Sequence, residues 1–113
     1  MPDTQKIVIV HTIDDVRAAL RSAQGPITLQ SAPDAIFYAG SLYLLTMFQQ
    51  AKAEFPDVGA IFILDCGDAG AETISAMQIG HTHIRTSAPQ PLRAKLSDIA
   101  KQLDVTIFAQ PML

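Results

Sequence analysis

The stretch that decides the fold is "VGAIFIL" at residues 58–64, an apolar run that leads directly into the polar "DCGDAG" at 65–70. Apolar residues at successive positions, rather than at alternate ones, are typical of a strand that is buried on both faces of a parallel sheet. The run "KIVIV" at 6–10 has the same character. The two runs therefore predict a parallel sheet with helices on both faces.

Three further strands and four helical segments alternate with these two runs. The other predicted strands are "ITLQ" (27–30), "THIRT" (82–86) and "VTIFA" (105–109). Apolar residues recur at helical spacing over 13–23, 33–55, 69–79 and 92–103, and Gly40-Ser41 is a possible break in the second of these segments. The order is β-α-β-α-β-α-β-α-β, and a chain of 113 residues fits one domain, 1–113.

This alternation predicts an α/β fold with a five-stranded, mostly parallel sheet and βαβ crossovers. Two strand orders remain open. One is the flavodoxin-like order 2-1-3-4-5, and the other is an open fragment of a (βα) barrel, in which successive strands are neighbours. In both, the carboxyl ends of the strands form a single edge, where open α/β sheets bind ligands. We refer to it as the strand-exit edge, and Gln110 at the end of the fifth strand is predicted to belong to it.

Two similar segments, "ITLQSAPD" at 27–34 and "HIRTSAPQ" at 83–90, end in the same tripeptide. Duplication of a βαβα unit is one explanation. We favour helix-start chemistry, in which Ser31 and Ser87 are N-caps, as Thr12 and Asp68 are predicted to be. Helix N-termini attract anions, and Arg85 would add a positive charge. The sequence thus predicts a small anionic ligand bound by Thr12, Ser31, Asp68, Arg85 and Ser87.

The candidates for catalysis are Asp65, Cys66 and His11, which all follow predicted strands. A carboxylate at the end of a buried strand is costly unless it is paired, capping or reactive. Cys66 precedes a helix start, where a thiol pKa is lowered, and His11 is its candidate base. The alternative interpretation is structural: Asp65 accepts loop N–H groups, Asp68 caps the helix, and Cys66 is a small buried residue.

No metal or cofactor is predicted. His81 and His83 have the H-x-H spacing that places two imidazoles on one side of a strand, but a third ligand is missing. "GDAG" at 67–70 is only G-x-x-G, which is neither a dinucleotide fingerprint nor a P-loop.

Composition points to self-association. Hydrophobic residues make up 49% of the chain and charged ones 17%, which leaves little charge to coat every face. The stretch "IFYAGSLYLLTMFQQA" at 36–51 is apolar around most of a helix. We therefore predict a homo-oligomer, most simply a dimer, although a helix sandwiched within the domain is the alternative. The predicted interface residues are Phe37, Tyr38, Tyr43, Met47 and Phe48.

Net charge and the N-terminal sequence argue against nucleic-acid and membrane partners. The net charge is −3 without a basic cluster, so nucleic acid is not expected. The lone Cys66 suits a reducing compartment, "MPDTQK" at 1–6 lacks a signal-peptide core, and the longest apolar stretch is too short to cross a bilayer. We expect a cytoplasmic protein without a membrane partner.

One position resembles a signalling family. Asp65 follows the third strand, as the acceptor aspartate of receiver domains does, but His11-Thr12 stands where those domains have an acid pair and Gln110 where they have a lysine. The STAS fold is similar in length and in its final helix, "APQPLRAKLSDIAKQL" (88–103), but its D-S-x-G motif is missing here. A phosphoacceptor or STAS-like signalling domain is thus one alternative. A small lyase or isomerase that uses Asp65 with His11 or Cys66 is another. A ligand-binding or interaction module is the favoured hypothesis.

Overall fold

Strands and helices alternate throughout residues 7–109, the part of the chain that the computed structural model describes. The boundaries are β1 Ile7–Val10, α1 Ile13–Ser22, β2 Ile27–Ser31, α2 Ala35–Tyr38, α3 Ser41–Ala53, β3 Ala60–Gly67, α4 Gly70–Ile79, β4 His83–Thr86, α5 Leu92–Leu103 and β5 Thr106–Ala109. The predicted break in the second helical segment is confirmed, since α2 and α3 are separated at Gly40, whose φ of +84° is a conformation that favours glycine.

The five strands are all parallel and follow the order β1-β2-β3-β4-β5. The α/β fold is therefore confirmed, whereas the flavodoxin-like order is wrong and the order of an open (βα)-barrel fragment is right. Right-handed crossovers between successive neighbours place every connecting helix on the same face of a sheet. Accordingly α1, α3, α4 and α5 pack side by side in that sequence.

The core lies between this helix layer and one face of the sheet. Because side chains alternate along a strand, every second residue of each strand faces the helix layer. These strand residues pack against apolar residues from every long helix. Its strand members include Val10, Leu29, Phe62, Leu64 and Ile84, and its helix members include Leu20, Leu44, Met47, Ala76 and Leu96.

The opposite face of the sheet has no helix layer among residues 7–109, so the helices expected on both faces lie on one face only in this part of the chain. We call it the open face. Ile7 and Ile9 are exposed on it, whereas residues at its centre are buried. By strand register its members are Ile7, Ile9, Thr28, Gln30, Ile61, Ile63, Asp65, His83, Arg85, Thr106 and Phe108.

Within residues 7–109, no helix is both long and apolar enough to cross a bilayer.

Candidate functional site

The carboxyl ends of β2, β3 and β4 are tied together by polar groups. The Asp65 backbone N–H donates to Ser31 Oγ at 2.9 Å, across the β2–β3 boundary. On the other side of β3, the Thr86 hydroxyl and the Ser87 backbone N–H both donate to the Gly67 carbonyl, at 3.2 and 2.8 Å. These bonds hold the strand ends close to one another, so the side chains involved serve the fold.

An irregularity in β3 makes this arrangement possible. The β3–β4 register shifts between Asp65 and Gly67, so Cys66 is an extra residue in the ladder. Gly67 adopts a φ of +54°, in the left-handed region that favours glycine. Its N–H donates to Asp65 Oδ1 at 3.0 Å. The structural interpretation of Asp65 is thus supported by one N–H, that of Gly67 at the end of β3.

Only one of the four predicted caps forms. Thr12 and Asp15 make a complete capping box at the start of α1. Ser31 is wrong as a cap because it lies inside β2, where its hydroxyl binds Asp65. Asp68 is exposed and caps nothing, since α4 begins after Ala69 without a side-chain cap.

Ser87 is also wrong as a cap. The helix after it, α5, begins at Leu92 as the helical spacing predicted, four residues later than a cap at Ser87 requires, with Pro91 at the cap position. The Ala94 N–H donates instead to Gln90 Oε1 at 3.1 Å. The five residues predicted to bind an anion are therefore not brought together by helix starts.

The catalytic candidates do not converge either. Asp65 and Cys66 are consecutive in β3, so their side chains point to opposite faces, with Cys66 in the core. Burial raises the pKa of the Cys66 thiol to about 11, the reverse of the lowered value that a nucleophile needs. His11 follows β1, two strands from β3 or roughly 10 Å between strand axes.

Arg85 is a buried side chain of the open face. Its Nε donates to Gln30 Oε1 at 2.8 Å and its Nη1 to the Ala109 carbonyl at 3.2 Å. The guanidinium carbon lies 5.4 Å from the centroid of the Phe108 ring, within reach of a cation–π contact. Among the described residues, every buried side-chain nitrogen or oxygen has a hydrogen-bond partner.

The two histidines of the H-x-H pair are separated by the sheet. His81 is buried against the helix layer, and its Nε2 bonds with the Ser41 carbonyl at 2.7 Å. His83 lies on the open face, stacked on Phe108 with ring centroids 6.2 Å apart. No group of three metal-ligating side chains occurs within residues 7–109.

The most exposed apolar surface lies where α2 meets α3. Phe37, Tyr38, Leu42 and Tyr43 are 59%, 72%, 63% and 56% exposed, and we call these four residues the apolar corner. Leu42 was not among the predicted interface residues. Met47 and Phe48 were, but they pack inside the chain: Met47 joins the core, and Phe48 stacks on Phe62 at 5.3 Å. The surface is thus shifted toward α2.

The sequence predicted an exposed apolar surface in this segment but not all the residues that form it. Apolar residues fill the whole stretch 36–48, and the helical period alone does not say which of them face the sheet. Gln30 and Phe108 carried no signal, because their importance comes from strand pairings made far apart in the chain. Gln110, predicted for the strand-exit edge, lies outside the described residues.

Among the described residues, two surface concavities lie at the end of the sheet opposite the strand-exit edge, and a third borders the first turns of α1 and α3. One, of about 150 Å³, lies between α3 and the start of β3 and is lined by Phe48, Ala60 and His81, among others. A second, of about 260 Å³, is formed by loops around Pro26 and Asp57. The third separates α1 from α3 next to Tyr43.

The sequence matches no protein-family model and has no significant match among curated proteins.

Proposed function

We propose that this protein is a binding module whose recognition surface is the apolar corner. The single observation that carries the proposal is the joint exposure of Phe37 and Tyr38 at the end of α2 and of Leu42 and Tyr43 at the start of α3. Contiguous exposed apolar surface of this kind is typical of protein–protein interaction sites, and aromatic residues are enriched at the centres of interfaces.

The corner is also held in a defined shape. Ala35 and Ile36, the first two residues of α2, are buried in the core. At the start of α3, the Ser41 carbonyl is bound by the buried ring of His81. An apolar surface that is already ordered loses less conformational entropy on binding than a flexible one. The ordered surface therefore supports specific binding of a folded partner over non-specific hydrophobic association.

The remaining catalytic candidates favour the binding role over the enzymatic alternative. Cys66 faces the core, Asp65 is buried and accepts the Gly67 N–H, and His11 is exposed two strands away. Nucleophilic and acid–base mechanisms require such groups within hydrogen-bond reach of one another. A buried Asp65 also gives the phosphoacceptor alternative little support.

Site-specific photo-crosslinking tests the proposal. A benzophenone amino acid replaces Tyr38 in cells, and the same residue replaces Leu103, which is 44% exposed on α5. We expect one discrete adduct from position 38, identified by mass spectrometry, and none from position 103. Equal adducts from both positions, or none from position 38, would contradict a recognition role for the corner.

A second candidate function, binding of a small oxyanion on the open face, is favoured by Arg85. Its guanidinium is positioned by Gln30, the Ala109 carbonyl and the Phe108 ring. A pre-positioned guanidinium suits carboxylates and phosphates. Asp65 is the register partner of Arg85 on the same face, and its carboxylate opposes an anion. We therefore expect weak affinity.

A thermal-shift series with phosphate, sulfate and small carboxylates tests this second candidate. The informative variant is Arg85→Lys, which keeps the charge but removes the planar fork. We expect stabilisation of the wild type that is reduced in Arg85→Lys and unchanged in Arg93→Lys, a matched substitution on α5. If no anion stabilises the wild type, or if both variants respond alike, Arg85 does not form a binding site.

A further inference from the structure

A groove lies directly beside the apolar corner, between α1 and α3. Its volume is about 260 Å³, and Tyr43 belongs to both the corner and the groove wall. The other residues that line it are Ile13, Arg17, Thr46, Met47 and Gln50. The same surface therefore carries a projecting aromatic group and a concavity of a size that admits one aromatic ring.

We propose that the partner of the apolar corner is a second copy of this chain, with the corner of each copy seated in the α1–α3 groove of the other. This inference rests on the proposed binding role of the corner. A surface with a projection beside a groove is complementary to itself, and a two-fold axis makes every such contact twice. Tyr38, the most exposed residue of the corner, is the side chain that enters the groove.

The chemistry of the groove fits a tyrosine. Ile13 and Met47 offer apolar contacts to the ring, and Arg17 and Gln50 offer hydrogen-bond partners to the phenol. Arg17 is already fixed by Glu54, whose carboxylate accepts from Nε at 3.0 Å and from Nη2 at 2.9 Å. The polar rim of the groove is thus ordered before a partner arrives.

Charge favours association through this face. The chain has a net charge of −3, so two copies repel one another at long range. No charged residue occurs between Asp34 and Lys52, the segment that contains α2 and nearly all of α3. The α2–α3 part of the contact is therefore uncharged, whereas the α1 wall of the groove brings Arg17 together with its acidic partners Asp14 and Glu54.

The available area predicts a dimer of moderate affinity. A fully buried aromatic side chain contributes roughly 150–250 Å². At the exposures given above, the four corner residues supply roughly 500 Å² per copy, or roughly 1,000 Å² in the complex. Stable interfaces bury about 1,200–2,000 Å² in total, so this contact lies just below the range of stable complexes. We expect dissociation in the micromolar range.

Sedimentation velocity over a micromolar concentration series tests this inference. The variant Leu42→Glu places a carboxylate in the corner, and Leu103→Glu makes the same change on α5 as a control. We expect the wild type and the control to dimerise alike, and Leu42→Glu to dissociate at least about tenfold more readily. Circular dichroism verifies that each variant is folded, and Tyr38→Glu provides a second corner substitution.

A mixing experiment tests the seating of the corner in the groove. Tyr38→Glu and Thr46→Lys each weaken self-association when alone. When the two variants are mixed, one corner carboxylate meets one groove ammonium and the second contact keeps its wild-type residues, so we expect a heterodimer. Restored dimer supports the inference, and no recovery on mixing overturns the proposed seating.

The remaining outcomes separate this inference from the proposed function. A wild type that stays monomeric, or a dimer unaffected by Leu42→Glu, or one equally weakened by Leu103→Glu, overturns the second-copy inference. In those cases a discrete cross-link from position 38 to a different protein still supports the binding role. If that cross-link also fails to form, both the second-copy inference and the proposed binding role are overturned.

Discussion

Ser31 shows how a single side chain changes its role with its surroundings. In sequence, Ser-Ala-Pro before a helical pattern is typical of an N-cap. In the structure, Ser31 is fully buried at the end of β2, and its hydroxyl accepts the backbone N–H of Asp65. A bond to a residue 34 positions away leaves no local signal, so the sequence could not predict it.

We expect Ser31→Ala to lower the free energy of unfolding by about 1–3 kcal/mol, since a buried backbone N–H loses its acceptor. Ser87→Ala is the matched control: Ser87 is exposed and uses its backbone N–H rather than its hydroxyl, so the expected change is within about 0.5 kcal/mol. Urea denaturation measures both. Equal effects at the two positions would show that the Ser31 hydroxyl bond is not important for stability.

The thiol of Cys66 is expected to be slow and strongly pH-dependent in alkylation. Burial raises its pKa to about 11, and the thiolate is the reactive form. The rate constant with iodoacetamide should therefore be far below that of a free cysteine at neutral pH and should still rise above pH 9. A plateau near neutral pH would contradict this and revive the nucleophile hypothesis.

Helix α1 shows where local sequence is sufficient. Thr12 and Asp15 are three residues apart, and all the groups of a capping box lie within that one turn. Asp15 Oδ2 also accepts the His11 N–H at 2.8 Å. This hydrogen bond and the one from Thr12 lower the pKa of Asp15. The other helix starts depended on loop paths that the pattern did not specify, and their predicted caps were wrong.

Removing the α1 cap tests its contribution. We expect Thr12→Ala to destabilise the protein by about 0.5–2 kcal/mol because the Asp15 N–H loses its acceptor. Gln102→Ala, a truncation at an exposed position of α5, should be neutral or slightly stabilising because alanine is the better helix former. Because the pKa of Asp15 is lowered, its share of stability is present above pH 3.8 and is lost as pH falls further. Equal thermal midpoints for the two variants would argue against the cap.

At the scale of the whole molecule, the sequence specified the elements but not their arrangement. All five strands and the long helices lie close to where periodicity predicted them, because that signal is local. Strand order is not local, and spacing was compatible with two orders. The run "KIVIV" indicated burial on both faces, yet Ile7 and Ile9 are exposed on the open face. Apolar composition alone did not distinguish the edge strand β1 from the central strands.

The stability of the whole fold should decrease in mild acid because of its partly buried histidines. Burial lowers the pKa of both His81 and His83 below the 6.5 of a free imidazole. The unfolded chain therefore takes up protons first as pH falls through about 6.5, and the histidine contribution, fully present above that pH, is progressively lost down to the lower folded values. We expect the free energy of unfolding, measured in urea between about pH 8 and pH 5, to fall less steeply in His81→Gln than in the wild type. The amide keeps a donor for the Ser41 carbonyl without titrating in this range. Parallel pH profiles for the wild type and His81→Gln would show that His81 is not the group responsible.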